Sequence, residues 1–121
     1  MGVVRVKPGV EFATIAPGGF CILSAIEQTA KKVLLSDAGE PISQDLEITS
    51  GTDGEHSGPN DPHKRGEAYD VRSHDLGALK EKVIANITGI LGWDHFYAFI
   101  EAPGTPNEHF HIQVKKGTVY P

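Results

Sequence analysis

Two short segments of the chain carry residue types that could hold a catalytic metal ion. The first, HKRGEAYD, runs from His63 to Asp70, and the second, EHFHI, runs from Glu108 to Ile112. A catalytic zinc usually takes three protein ligands from histidine, cysteine or carboxylate side chains and leaves a fourth position to water. We expect His63, Asp70 and His111 to be these ligands, and Glu108 to be the base that takes a proton from the water.

The spacing of these residues sets requirements on the backbone. His109 and His111 share one face of a strand, because successive side chains alternate, and Phe110 and Ile112 then face the core. Glu108 lies one residue before His109, so it can join the same site only if the chain bends before the strand begins.

His63 and Asp70 are seven residues apart. In one unbroken strand, an odd separation would place the two side chains on opposite faces. The metal hypothesis therefore requires a turn between them, and Gly66 is the residue best suited to it.

Other reactive residues have ordinary interpretations. The chain has six histidines, and we interpret His56, His74 and His95, taken singly, as incidental surface residues, although His56 could also contact a substrate. We interpret Cys21 as a small buried residue rather than a reactive thiol, because no neighbouring cation would lower its pKa.

The remaining sequence predicts the elements that position the two segments. Apolar residues at helical spacing predict one helix over Phe20–Leu35 and a second that follows Asp75 as its N-cap and ends near Gly92. The chain before Gly19 reads as a loop or a short edge strand, and Gly51–Pro62 as a loop of about a dozen residues. Alternating patterns predict four further strands, at Asp45–Ser50, Glu67–Val71, His95–Glu101 and His109–Lys115.

This order of elements predicts an α+β fold. A short turn joins the last two strands, so we expect them to pair as an antiparallel hairpin. The predicted architecture is a small, mostly antiparallel sheet with two main helices packed on one face. A chain of 121 residues suits a single domain that spans residues 1–121.

Composition excludes several classes of function. The formal net charge is -5 and the pI about 5.6, which is unlike the basic surface of a nucleic-acid-binding protein. No apolar run is long enough to insert into a membrane, and no signal-peptide pattern occurs near the start of the chain. We expect a monomer, and the single cysteine excludes an internal disulfide.

The two segments together resemble the motifs of a family of zinc peptidases that cut cell-wall peptides. HKRGEAYD resembles the family's HxxGxAxD motif, and the stretch from Glu108 to His111 resembles its second motif, in which a glutamate lies three residues before the last zinc ligand. The family includes D-Ala-D-Ala carboxypeptidases, vancomycin-resistance dipeptidases and phage L-Ala-D-Glu endopeptidases, and hedgehog signalling domains share its zinc scaffold. The resemblance covers about half of the chain, from Ile48 to Val114, and its upstream part, ITSGTDGEHSG, is similar to small phage and prophage members.

The resemblance implies a hedgehog-like or DD-peptidase-like fold that binds Zn2+ through His63, Asp70 and His111. It implies that Glu108 is the catalytic base, and that His109 helps to bind substrate or to stabilise the oxyanion. The implied substrate is a peptidoglycan stem peptide. An enzyme of this kind without a signal peptide would remain in the cytoplasm until it is released to the cell wall.

Two departures from the family pattern affect this expectation. Asp61 stands where the family often has a serine, and an arginine that steadies the substrate carbonyl is missing, with Arg72, Lys64 and His56 as candidate replacements. Losing one oxyanion donor can cost about 10²–10³ in rate. Two alternatives therefore stay open: a non-catalytic zinc domain that binds cell-wall peptides or a protein partner, and an α+β domain with incidental histidines.

Overall fold

The computed structural model describes residues 4–34, 45–53 and 61–115. In these residues, two helices and five strands follow one another as β1 (Val4–Val6), α1 (Pro17–Val33), β2 (Leu46–Ser50), β3 (Ala68–Arg72), α2 (Leu79–Leu91), β4 (Phe96–Glu101) and β5 (His109–Val114). The predicted loop at Gly51–Pro62 is described only at its two ends, and His56 lies outside the described residues.

The five strands form one sheet in the order β1-β2-β3-β5-β4. Three of the pairings are antiparallel, including the predicted hairpin of β4 and β5. The short edge strand β1 pairs with β2 in parallel, so the sheet is mixed. The predicted α+β class with two main helices is confirmed.

Helix α1 begins three residues before its predicted start. Its first residue is Pro17, whose fixed φ and missing N–H suit the first turn of a helix. The prediction that Cys21 is buried is wrong, since this residue is exposed. The helix instead turns Ile22 and Ile26 into the core, and Cys21 lies beside that stripe rather than within it.

Helix α2 begins at Leu79, and the prediction of Asp75 as its N-cap is wrong. Ala78 occupies the N-cap position and offers no capping side chain. The chain first makes a turn in which the N–H of Leu76 donates to the carbonyl oxygen of Ser73 at 3.1 Å. This turn buries the Leu76 side chain in the core and delays the start of the helix.

The two helices pack against each other and against the sheet, and their apolar faces share one core. The central strands contribute alternate residues to this core, namely Tyr69 and Val71 from β3 and Phe110 and Ile112 from β5. The predicted inward orientation of Phe110 and Ile112 is confirmed. Neither helix of the described ranges is long and apolar enough to span a membrane.

Candidate metal centre

The turn that carries His63 is held by its own backbone and by a neighbouring carboxylate. Gly66 adopts a φ of +71°, a left-handed conformation that glycine adopts without strain, and its N–H bonds the carbonyl of His63 at 3.1 Å. Asp61 Oδ1 accepts the N–H of His63 at 2.8 Å. The turn predicted at Gly66 is therefore present, and Asp61 fixes the backbone at the start of this turn.

The start of α1 holds this turn in place. The carbonyl oxygen of Gly66 accepts hydrogen bonds from the N–H of Ala16 and the hydroxyl of Tyr69, each at 3.2 Å. A Cβ atom added to Gly19 would overlap with the same carbonyl oxygen. The two glycines thus permit a close approach of α1 to the His63 turn, which fixes the turn against β3.

Three predicted ligands converge on one point of the sheet surface. Asp70 Oδ1 lies 3.4 Å from His63 Nε2 and 3.1 Å from His111 Nδ1, and each side chain is 15% exposed or less. Ligand atoms around a tetrahedral zinc ion at about 2.0–2.2 Å are about 3.3–3.6 Å apart. The separations therefore suit a small metal ion bound by two imidazoles and one carboxylate.

In the rings of His63 and His111, the nitrogen that faces away from Asp70 lies close to an oxygen acceptor. His63 Nδ1 lies 3.2 Å from the carbonyl oxygen of Gly51, and His111 Nε2 lies 2.7 Å from Gln113 Oε1. When a ring is neutral and its N–H donates to such an oxygen, the nitrogen that faces Asp70 carries a lone pair that could bind a metal ion. When the ring is protonated, that nitrogen instead donates a hydrogen bond to Asp70. Metal-binding histidines are commonly oriented in this way, by an acceptor behind the ring.

Electrostatics favour the ionised form of Asp70. Burial opposes its ionisation, but hydrogen bonds with His111 and His63 outweigh burial and hold the pKa of Asp70 well below its usual range. Burial also opposes the charged form of His111, whereas its hydrogen bonds with Asp70 and Gln113 raise the pKa of His111 overall. A metal ion that binds here would displace a proton from His111 wherever that ring is protonated.

Glu108 lies just before β5 and is buried among hydrogen-bond donors. Ser73 Oγ donates to its Oε2 at 2.8 Å, and Lys80 Nζ and the N–H of Gly104 donate to its Oε1 at 2.9 and 3.2 Å. These hydrogen bonds lower the pKa of Glu108 to about 2, and the bond from Lys80 has the largest effect, followed by those from Ser73 and Gly104. The side chain is therefore firmly ionised and a weak base in this arrangement.

A cleft of about 430 Å³ adjoins the metal centre. Asp70, Arg72, Glu108 and His109 line it together, so the bend that the sequence required before β5 brings Glu108 to the same cleft as His109. Its volume lies within the range of small-ligand sites, about 300–1,000 Å³. The arrangement places a carboxylate, an imidazole and a guanidinium beside the three converging ligands.

The three residues that the sequence suggested as donors to a substrate carbonyl, Arg72, Lys64 and His56, differ in position. Arg72 lines the cleft and forms an ion pair with Glu47, Nη2 to Oε1, at 2.5 Å. Lys64 is exposed and donates to the carbonyl of Thr52 at 3.2 Å. His56 lies outside the described residues. Of the two candidates within the described ranges, Arg72 is the one that lines the cleft.

Several residues of the site were missed by sequence reasoning. They are Gly51, Ser73, Lys80, Glu101 and Gln113. Gln113 had a readable signal, because it continues the alternation of His109 and His111 along β5. The other four reach the site through tertiary contacts. Of the remaining histidines, His74 is exposed at the rim of the cleft, and His95 is exposed just before β4.

Comparisons with protein-family models, with characterised proteins and with solved structures each found no match for the chain. A functional assignment therefore depends on the residues and geometry of the site itself.

Proposed function

We propose that the chain is a zinc-dependent peptidase of peptidoglycan stem peptides, of the D-Ala-D-Ala carboxypeptidase or L-Ala-D-Glu endopeptidase type, with a fold related to those peptidases and to hedgehog domains. The observation that carries the proposal is the convergence of His63, Asp70 and His111 beside a cleft lined by Glu108 and His109. Zinc bound by these three residues would lower the pKa of a water molecule and polarise the carbonyl of the scissile peptide bond.

In this proposal Glu108 takes a proton from the attacking water and passes it to the leaving amine. Its oxygens instead accept hydrogen bonds from Lys80 and Ser73, and its pKa of about 2 disfavours proton transfer to it. Lys80 must therefore release Oε1 when the substrate is bound, because the loss of that hydrogen bond removes the largest cause of the low pKa.

Arg72 and His109 are positioned to bind the substrate. Arg72 lies on the cleft wall two residues after Asp70, so both side chains leave the same face of β3. We propose that its guanidinium donates to the carbonyl oxygen of the scissile bond, in place of the arginine that the related family carries elsewhere. His109 lies opposite Arg72 in the register of β3 and β5 and would contact the substrate from the neighbouring strand.

The hydrogen bonds of Glu108 favour one alternative. A non-catalytic zinc domain that binds a cell-wall peptide or a protein partner has no need of a base. In such a domain, the role of Glu108 would be structural: it would accept the hydrogen bonds from Ser73, Lys80 and Gly104 that hold these segments together. The metal centre and the cleft are common to both candidate functions, so only a test of turnover distinguishes them.

The test is a mass-spectrometric digest of defined tetrapeptide and pentapeptide muropeptides by the zinc-loaded protein. Loss of one terminal D-Ala would identify a carboxypeptidase, and a cut after L-Ala an endopeptidase. The Glu108→Gln variant should retain zinc and lose turnover, whereas Glu81→Gln, on the exposed side of α2, should cut as well as the parent protein. Zinc bound without cleavage would support the binding domain, and full activity in Glu108→Gln would refute the proposed base.

A further inference from the structure

A second group of possible metal ligands lies on the other side of Asp70. The Nε2 atom of His109 is 3.7 Å from Asp70 Oδ2 and 3.7 Å from Glu101 Oε2. One ligand atom from each of the three residues lies within 4.8 Å of the others. These separations slightly exceed the spacing of about 3.3–3.6 Å around a tetrahedral zinc ion, as expected for a more open site.

The orientation of His109 is an independent observation that points to a ligand. Its Nδ1 lies 2.7 Å from the carbonyl oxygen of Asn107, a close hydrogen bond in which the ring N–H donates. The remaining nitrogen, Nε2, faces two carboxylate oxygens, from Asp70 and Glu101. In the neutral ring Nε2 carries a lone pair, and a divalent cation between the three atoms would accept electron pairs from all of them.

The strand register explains why this second group exists beside the first. His109 pairs with Glu101 of β4 on one side and with Arg72 of β3 on the other, one side-chain step along β5 from His111. Asp70 pairs directly with His111 and directs its second oxygen toward His109. One carboxylate thus presents Oδ1 to the first group of ligands and Oδ2 to the second.

We propose that Asp70, Glu101 and His109 bind a second divalent cation, and that Asp70 bridges the two metal ions. The proposal goes beyond the proposed function and rests on it for the first ion, with which it shares Asp70. When the second ion is bound, that ion rather than the ring nitrogen of His109 would contact the substrate. The side chain of Glu101 is 41% exposed, against 5% for His63 in the first site. Water would complete the coordination of the second ion, and we expect this ion to bind at least about tenfold more weakly because the two cations repel each other.

The experiment is a Zn2+ titration by equilibrium dialysis, followed by elemental analysis of the full chain. We expect two ions per chain at saturating Zn2+, and one ion after dialysis against metal-free buffer. Glu101→Gln should bind one ion at saturating Zn2+, in the tighter site. Because Glu101 Oε1 also lies 3.1 Å from His111 Nδ1, we expect the affinity of that site to fall as well. Glu81→Gln, an exposed glutamate of α2 away from both sites, should bind two ions as the parent protein does.

Three outcomes would overturn the proposal. The parent protein would bind one ion at most, or Glu101→Gln would still bind two, or that variant would lose both ions. The muropeptide digest is scored separately: two bound ions without hydrolysis would refute the peptidase and leave the second site intact. Hydrolysis with a single bound ion, unchanged by Glu101→Gln, would refute the second site and leave the peptidase intact.

Discussion

Replacing Gln113 with leucine tests whether the residue behind His111 orients that ring for metal binding. Gln113 Oε1 accepts the Nε2–H of His111 at 2.7 Å, and Gln113 also forms a side-chain hydrogen bond with Tyr97, its partner on β4. Leucine retains comparable side-chain bulk on β5 but offers no acceptor. The variant therefore removes the support of the ring while leaving all three proposed ligands in place.

The loss of zinc affinity can be bounded from the structure. Removing the partner behind a metal-binding histidine typically costs about 10–100-fold in affinity, or about 1.4–2.7 kcal/mol. His111 is 8% exposed, so water replaces the missing acceptor poorly and we expect a loss near the upper end of that range. Gln113→Glu should act in the opposite direction, because a carboxylate behind the ring raises the basicity of the ligand.

The assay is competition for Zn2+ between the protein and a chromophoric chelator of known affinity at constant pH. Gln28→Leu, on the exposed side of α1, is the matched control and should bind zinc as the parent protein does. Circular dichroism of the zinc-free proteins checks that each variant keeps its fold. Equal zinc affinity in Gln113→Leu and the parent protein would refute the proposal that Gln113 orients His111 for metal binding.

Two further predictions concern Glu108 and the turn at Gly66. The pKa of Glu108 is about 2 in the folded chain against an ordinary value of 4.5, so its stabilising effect is complete above about pH 4.5 and is lost as the pH falls through about 2. Urea unfolding between pH 7 and pH 2 should show this loss, and Glu108→Gln should reduce it. Gly66→Ala should destabilise the fold by at least about 1 kcal/mol, since φ is positive and the new Cβ would overlap with the carbonyl of Thr14. Gly89→Ala, in α2 with open space around it, should be neutral or stabilising in the same unfolding assay.

Much of the fold could be predicted from local patterns. Helical spacing located α1 and α2, and alternation located the strands of the hairpin, because each pattern reports which face is buried. The start of α1 was missed because Pro17-Gly18-Gly19 resembles a turn, whereas tertiary contact with Gly66 keeps these residues helical. The parallel pairing of β1 with β2 joins residues 42 positions apart, such as Val4 and Leu46, and no local pattern encodes it.

For the candidate site too, local sequence patterns predict some residues, whereas others depend on contacts between distant parts of the chain. Alternation along β5 places His109 and His111 on one face, and a turn at Gly66 is enough to bring His63 to Asp70. The position of Glu101 depends on the register of β4 and β5 across the intervening segment 102–108, and a shift of one residue would turn its side chain to the other face. The sequence therefore indicated the first group of ligands and gave no indication of the second.

The pKa of Glu108 affects both the stability of the fold and the proposed role of this residue as a base. Its carboxylate joins Ser73 after β3, Lys80 in the first turn of α2 and Gly104 in the hairpin loop, so three segments of the chain depend on its ionised form. Stabilising the ionised form makes the carboxylate a better anchor and a weaker base at once. Lys80→Met should consequently raise the pKa of Glu108 and lower the stability of the fold, whatever the protein does. In a peptidase it should also raise the rate at which a zinc-loaded variant cuts muropeptides near neutral pH, whereas in a binding domain only the stability would change.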